Sequence, residues 1–160
     1  MGLRKSLSSQ SSQVGKNLID IYSVTLHPSA KITNGVISYI STAAFMSNTL
    51  YVPVSPNTQY AFQMQRVGAG AYNYLDGLSG TTVVSSNMAN TVAGADGLAT
   101  TLFTTPVNVD GILIHLLNSL ANSVTINFSL MQLEQGASAT VYEDFKKSSK
   151  NLSINSPLRN

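Results

Sequence analysis

The chain has no cysteine and no tryptophan, and each absence excludes something. Without cysteine there are no disulfides, no thiolate metal sites and no cysteine nucleophile. Without tryptophan the strongest aromatic stacking platform is missing, which weakens any glycan-binding reading, though tyrosine can serve. Charge is also scarce, at 10% of residues, with nine Lys and Arg against seven Asp and Glu. A net charge of +2 is too small and too dispersed for a nucleic-acid surface. Most of the basic residues, Arg4, Lys5, Lys146, Lys147 and Lys150 among them, sit near the ends, where solvated tails account for them. No apolar run reaches the roughly 18 residues of a transmembrane helix. Arg4 and Lys5 lead into a Ser/Gln run where a secretion signal needs an apolar core, so neither membrane insertion nor a signal peptide is expected.

What is present is a chain rich in Ser, Thr, Asn and Gly. Exposed helices usually carry more Glu, Lys and Arg, so this composition favours strands and turns. At 160 residues one domain with a real core is expected. Residues 1–16 and 146–160 are polar and low in complexity and read as linkers or a tag, which leaves a module over residues 17–145.

Strand patterns recur through that module. Tyr51–Val54 is a short β-rich run in which Pro53 points to an edge strand or a bulge. Tyr60, Phe62 and Met64 alternate with Ala61, Gln63 and Gln65, the period of a strand with one buried face. Tyr72–Leu75 follows, with Asp76-Gly77 as a hairpin turn and Thr81–Val84 as the return strand. The Ala/Gly/Asn/Ser stretch 85–99 reads as a long loop with one helical turn. Gly111–Leu117 fits a strand buried on both faces. Val124, Ile126, Phe128 and Leu130 alternate with polar residues, and Phe62, Phe103 and Phe128 are expected in the core. The Leu133-Glu134-Gln135-Gly136 step and the Ala139–Glu143 stretch read as the closing strand. About eight short strands without an amphipathic helix make an all-β sandwich or barrel.

Enzyme constellations are absent. His27 precedes Pro28 in a turn-like stretch, and His115 lies inside an apolar strand, where it reads first as a core or face residue. There is no HExxH and no histidine pair at metal spacing. Gly68-Ala69-Gly70 lacks the Lys-Ser/Thr of a phosphate loop and reads as a turn. Asp76, Asp96 and Asp110 each precede Gly, which is turn chemistry. Glu134 fits either a turn cap or one ligand of a structural cation, but no ligand-dense Ca²⁺ loop is present. No metal site and no cofactor are expected.

Sugar binding needs a ring to cover the apolar face of a pyranose and polar side chains to bond its hydroxyls. Residues 66–76 supply that mixture in Arg66, Tyr72, Asn73, Tyr74 and Asp76. On a strand Tyr72 and Tyr74 share one side, with Asn73 and Leu75 on the other. With His115 these five form the candidate ligand-binding set, and core packing of one or both tyrosines is the alternative.

Four blocks carry a family resemblance in order: Asn17-Leu18-Ile19; Ser47 to Tyr60 around Pro56-Asn57-Thr58; Phe103-Thr104-Thr105-Pro106 followed by Ile112-Leu113-Ile114; and Met131 to Gly136 through Tyr142-Glu143. Together they resemble the carbohydrate-binding jelly-roll modules of tail and baseplate proteins, distal tail proteins among them, of phages that infect Gram-positive bacteria. The resemblance implies a galactose-binding-like β-sandwich jelly roll, displayed on the virion within a larger parent chain. Its partners would be a host cell-surface saccharide and other tail or baseplate proteins. It implies a non-catalytic module that recognises cell-wall polysaccharide during adsorption. No binding residue transfers by motif. A structural or assembly domain is the second reading, and a carboxylate-based glycosidase or esterase the third.

Overall fold

The computed structural model describes residues 17–40, 44, 46–91, 96–120 and 124–146. Both proposed terminal linkers, apart from Lys146, lie outside them. The described chain is all-β, with a single 3₁₀ turn (Ile21–Ser23) capped by the Asp20 carboxylate. Nine strands follow: β1 (Lys31–Thr33), β2 (Val36–Ile40), β3 (Ser47–Pro53), β4 (Gln59–Val67), β5 (Ala71–Ser79), β6 (Thr82–Thr91), β7 (Gly97–Thr104), β8 (Gly111–Asn118) and β9 (Thr125–Gln135). They form a five-stranded sheet ordered β1-β2-β9-β4-β7 and a four-stranded sheet ordered β3-β8-β5-β6. Every pairing is antiparallel.

The two inner faces enclose one core. Tyr39, Phe62, Met64 and Phe128 from the larger sheet meet Leu50, Leu75, Ile112, Ile114 and Leu116 from the smaller, all essentially inaccessible. Each such side chain contributes about 1.5–3 kcal/mol. Tyr60 stacks on Phe103 beside them, with centroids 5.9 Å apart. Pro53 ends β3, an edge strand, where a missing N–H costs no ladder bond.

Four expectations need correction. Asp76-Gly77 is mid-strand, not a turn: β5 runs on to Ser79, and the chain reverses at Gly80, whose φ of +59° suits a tight turn. The stretch 85–99 is largely strand, because β6 and β7 fill it up to residue 91 and from residue 97. Ala, Asn and Ser have weak strand propensity, and pairing to β5 and β4 overrides it. Ala61 and Gln63 are buried along with Tyr60, Phe62 and Met64. Finally, β9 ends at Gln135, and residues 137–146 form a strap without strand pairing.

That strap is tied by buried polar groups. Glu134, on β9, accepts from the Thr140 backbone N–H, from Thr140 Oγ1 at 2.8 Å and from Gln132 Nε2 at 3.1 Å. Gln132 Oε1 accepts from Glu143 N at 2.7 Å. The Glu134 carboxylate is thus ringed by donors, the surroundings of an anion already satisfied and the reverse of a cation site. Asn17 completes the fastening, donating to the carbonyls of Met131 (2.9 Å) and Glu143 (3.0 Å) and accepting from Leu133 N (3.2 Å).

Candidate functional site

Strand alternation divides the four-stranded sheet cleanly. On β5, Ala71, Asn73 and Leu75 point into the core, and Tyr72, Tyr74 and Asp76 point outward. On β8, Ile112, Ile114 and Leu116 are core, and Leu113 and His115 share the outer face with Tyr74. The register places Thr49, His115, Tyr74 and Asn90 in one row across all four strands. The neighbouring row carries Tyr51, Leu113 and Asp76.

Four of the six candidate residues therefore converge. The Tyr74 and His115 rings are stacked, 4.1 Å apart and 11° from parallel. Tyr72 stands beside Tyr74 at 6.3 Å and 38°. Asp76 closes the cluster: one carboxylate oxygen accepts from Asn87 N at 2.7 Å, and the other lies 3.2 Å from His115 Nε2. Both ring nitrogens are buried, and this contact is the one polar approach to them that the structure shows among the described residues. Asp76 acts on His115 through Coulombic attraction first and the side-chain contact second. Asn87 reaches the carboxylate because β6 bulges opposite Asp76, with Asn87 itself in the left-handed region at φ +49°.

The other two candidates lie elsewhere. Arg66 is on β4, in the opposite sheet, and by alternation falls on the side of Phe62 and Met64. Asn73 is fully buried on the inner face of β5. Arg66 precedes the Gly68-Ala69-Gly70 turn and Tyr72 follows it, so neighbours in sequence enter different sheets.

Burial holds the His115 pKa below its ordinary value, against the pull of Asp76. The ring is therefore neutral at pH 7. Burial raises the Tyr74 pKa, and Asp76 and Tyr72 raise it further, so the phenol keeps its proton as a donor. His115 covers one face of the Tyr74 ring, and its side chain is only 12% exposed. Asp76 is exposed to the same 12%.

A concavity lies on the five-stranded sheet between β7 and the strap, lined by Gln63, Leu98, Thr100, Leu102, Thr140 and Val141 among others. Its lining contains no aromatic ring, so it offers nothing to stack on a sugar. Most carboxylates are engaged in holding the fold. Asp20, Asp96 and Asp110 accept from the amides of Tyr22, Gly68 and Gly80. Asp144 accepts from the Tyr142 hydroxyl.

No protein-family model and no curated protein matches the chain. Solved structures do. A structure described as "CBM4 structure and function" aligns with a TM-score of 0.52 at 13% identity, over 72% of this chain and 96% of that one. The N-terminal cellulose-binding domain of Cellulomonas fimi β-1,4-glucanase C aligns at 0.50 and 9% identity, over 73% and 90%. The Clostridium thermocellum Xyn10B structure, containing CBM22-1 and GH10 modules with xylohexaose, aligns at 0.50 and 12% identity, over 78% of this chain and 29% of that one. The fold is thus the β-sandwich jelly roll of carbohydrate-binding modules.

Proposed function

We propose that the chain is a non-catalytic carbohydrate-binding module that takes its glycan on the outer face of the four-stranded sheet. The observation that carries this is the Tyr72–Tyr74 pair beside Asp76, with Tyr74 fixed from behind by His115. A pyranose CH face packs on the remaining face of Tyr74, and the exposed Asn90 and the tyrosine hydroxyls supply polar partners at the rim, beside the mostly buried Asp76. The fold shared with cellulose-binding and CBM4 domains supports the same reading.

Within that class, the ordered sequence blocks favour a phage tail or baseplate setting and a host cell-wall polysaccharide as ligand. One such site binds weakly, and multiple copies on a tail would raise the avidity. The test is a fluorescent fusion of the full chain, applied to Gram-positive host cells and to their purified wall polysaccharide. Saturable labelling that free polysaccharide competes away supports the reading. Absence of binding to both overturns it.

A second reading, an assembly domain with no glycan ligand, is favoured by one feature. Leu98, Leu102 and Val141 are half-exposed or more around the concavity on the five-stranded sheet, as an apolar contact with another subunit would need. Stable association with a tail protein, unaffected by glycans, would identify it.

A further inference from the structure

We propose that Tyr51 is a further stacking position on the same face, made possible by Gly111, and that the ligand is an internal run of a glycan chain lying across the strands. This rests on the binding face assigned above and extends it to the edge strand β3.

The argument starts from Gly111. Its backbone is not in the left-handed region, so no turn or backbone twist calls for glycine there. Its neighbour supplies the reason. A Cβ at this position would lie 2.5 Å from Tyr51 Cε2, 2.7 Å from its hydroxyl oxygen and 2.9 Å from Cζ. The Tyr51 ring therefore lies down on the bare backbone of β8, where any larger residue would lift it off. Tyr51 is 48% exposed, whereas its strand neighbours Leu50 and Val52 are 1% and 2% exposed. A tyrosine so placed is held by the sheet and open to solvent, the condition for stacking at low entropic cost.

Register then sets the spacing. Tyr51, Leu113 and Asp76 form one cross-strand row, with β8 between β3 and β5. Two strand spacings separate Tyr51 from Asp76, about 9.5 Å, and Tyr74 and Tyr72 lie one and two side-chain rows farther along β5, so the separation exceeds one pyranose ring. Tyr51 and the Tyr72–Tyr74 pair therefore engage different sugars of one chain. The half-buried Leu113 gives the intervening sugar an apolar floor. A site of this shape takes an oligosaccharide of about three sugars or more, crossing the strands and open at both ends. A pocket closing on one terminal sugar has no use for a ring two strands away.

The test uses the full chain with partial-hydrolysis fractions of host wall polysaccharide, a disaccharide and a hexasaccharide, by titration calorimetry. The unsubstituted chain should bind the hexasaccharide the more tightly. Tyr51→Ala and Gly111→Ala should each weaken the hexasaccharide about tenfold and leave the disaccharide unchanged, while Tyr51→Phe keeps full affinity and Tyr74→Ala weakens both. Melting temperatures identify a misfolded Gly111→Ala, and the exposed Tyr51→Ala decides the question alone in that case. If the unsubstituted chain binds the hexasaccharide and Tyr51→Ala binds it equally, the extended platform is wrong and the face assignment stands. If the unsubstituted chain binds no fraction and no intact polysaccharide, the face assignment fails and this inference with it.

Discussion

The ring of Tyr74 lies nearly parallel to the imidazole of His115, 4.1 Å away. The two residues are direct partners on adjacent strands, so the stack is a cross-strand pair fixed by the β5–β8 register. In the proposed function one partner is a platform and the other its support.

Tyr74→Ala should weaken binding to the wall polysaccharide more than about tenfold, and Tyr72→Ala about tenfold. Both side chains are on an outer face, so the fold should survive. Affinity electrophoresis in polysaccharide-containing gels, with circular dichroism as a fold control, reads both. Retained mobility shifts in both variants would remove the tyrosines from the site.

Arg66→Met should leave glycan affinity unchanged and lower stability by about 1–3 kcal/mol. Arg66 is buried in the opposite sheet with Asp96 as its Coulombic partner. Chemical denaturation and the same gel assay check the two halves. A loss of binding without a loss of stability would return Arg66 to the site.

His115 gives a pH dependence with a defined sign. Burial keeps its folded pKa below the ordinary 6.5, so the unfolded chain takes up a proton that the folded chain refuses until lower pH. Its contribution to stability is complete above pH 6.5 and is lost as pH falls through the folded value. Melting temperature should decline on acidification below that point, and His115→Gln should flatten the decline. An identical pH profile for the variant would show that other groups control it.

Leu130 carries a backbone strain that can be relieved. It sits at φ +49° in the β9 bulge, with its side chain 43% exposed. A left-handed conformation costs a residue other than Gly, Asn or Asp about 1–2 kcal/mol. Leu130→Asn should therefore raise the melting temperature by a few degrees, roughly 2–4 °C per kcal/mol of strain relieved in a domain of this size, as read by calorimetry. A lowered melting temperature would mean that the leucine side chain contributes more than its conformation costs.

Thr140→Val should loosen the strap. It removes a hydroxyl donor from the buried Glu134 carboxylate at a cost of about 1–3 kcal/mol. Faster amide exchange at Ala139–Glu143, with β9 unchanged, is the expected signature. Uniform destabilisation of the whole domain would show that the strap and the core unfold as one unit.

Much of the fold was legible in particular residues. Ile126 and Phe128 alternate and are buried, as the period predicts. The alternation then breaks at Leu130, because the bulge advances the phase by one residue and turns Met131 and Leu133 inward. Nothing in the composition around Leu130 marks that slip. Ala61 and Gln63 were expected on an open face. They are buried where the outer surface of the five-stranded sheet meets a strap that no periodic pattern announces. Tyr51 was visible as an aromatic on an edge strand, but its relation to Gly111 lies across the β3–β8 pairing, 60 residues away in sequence.

By itself, the sequence determined what is local: the all-β class, since alternation and turn residues act over a few positions; the absence of thiol chemistry; and the facing of Tyr72 with Tyr74, since side chains two apart on a strand share a side. The tertiary structure decided what depends on register between distant strands. It stacked His115 against Tyr74, moved Asp76 from a turn to the outer face of the four-stranded sheet, sent Arg66 and Asn73 into the interior, and laid Tyr51 on Gly111. A one-residue slip in any of these pairings would exchange the two faces of a strand. The whole core selects the register, and no short segment carries that information.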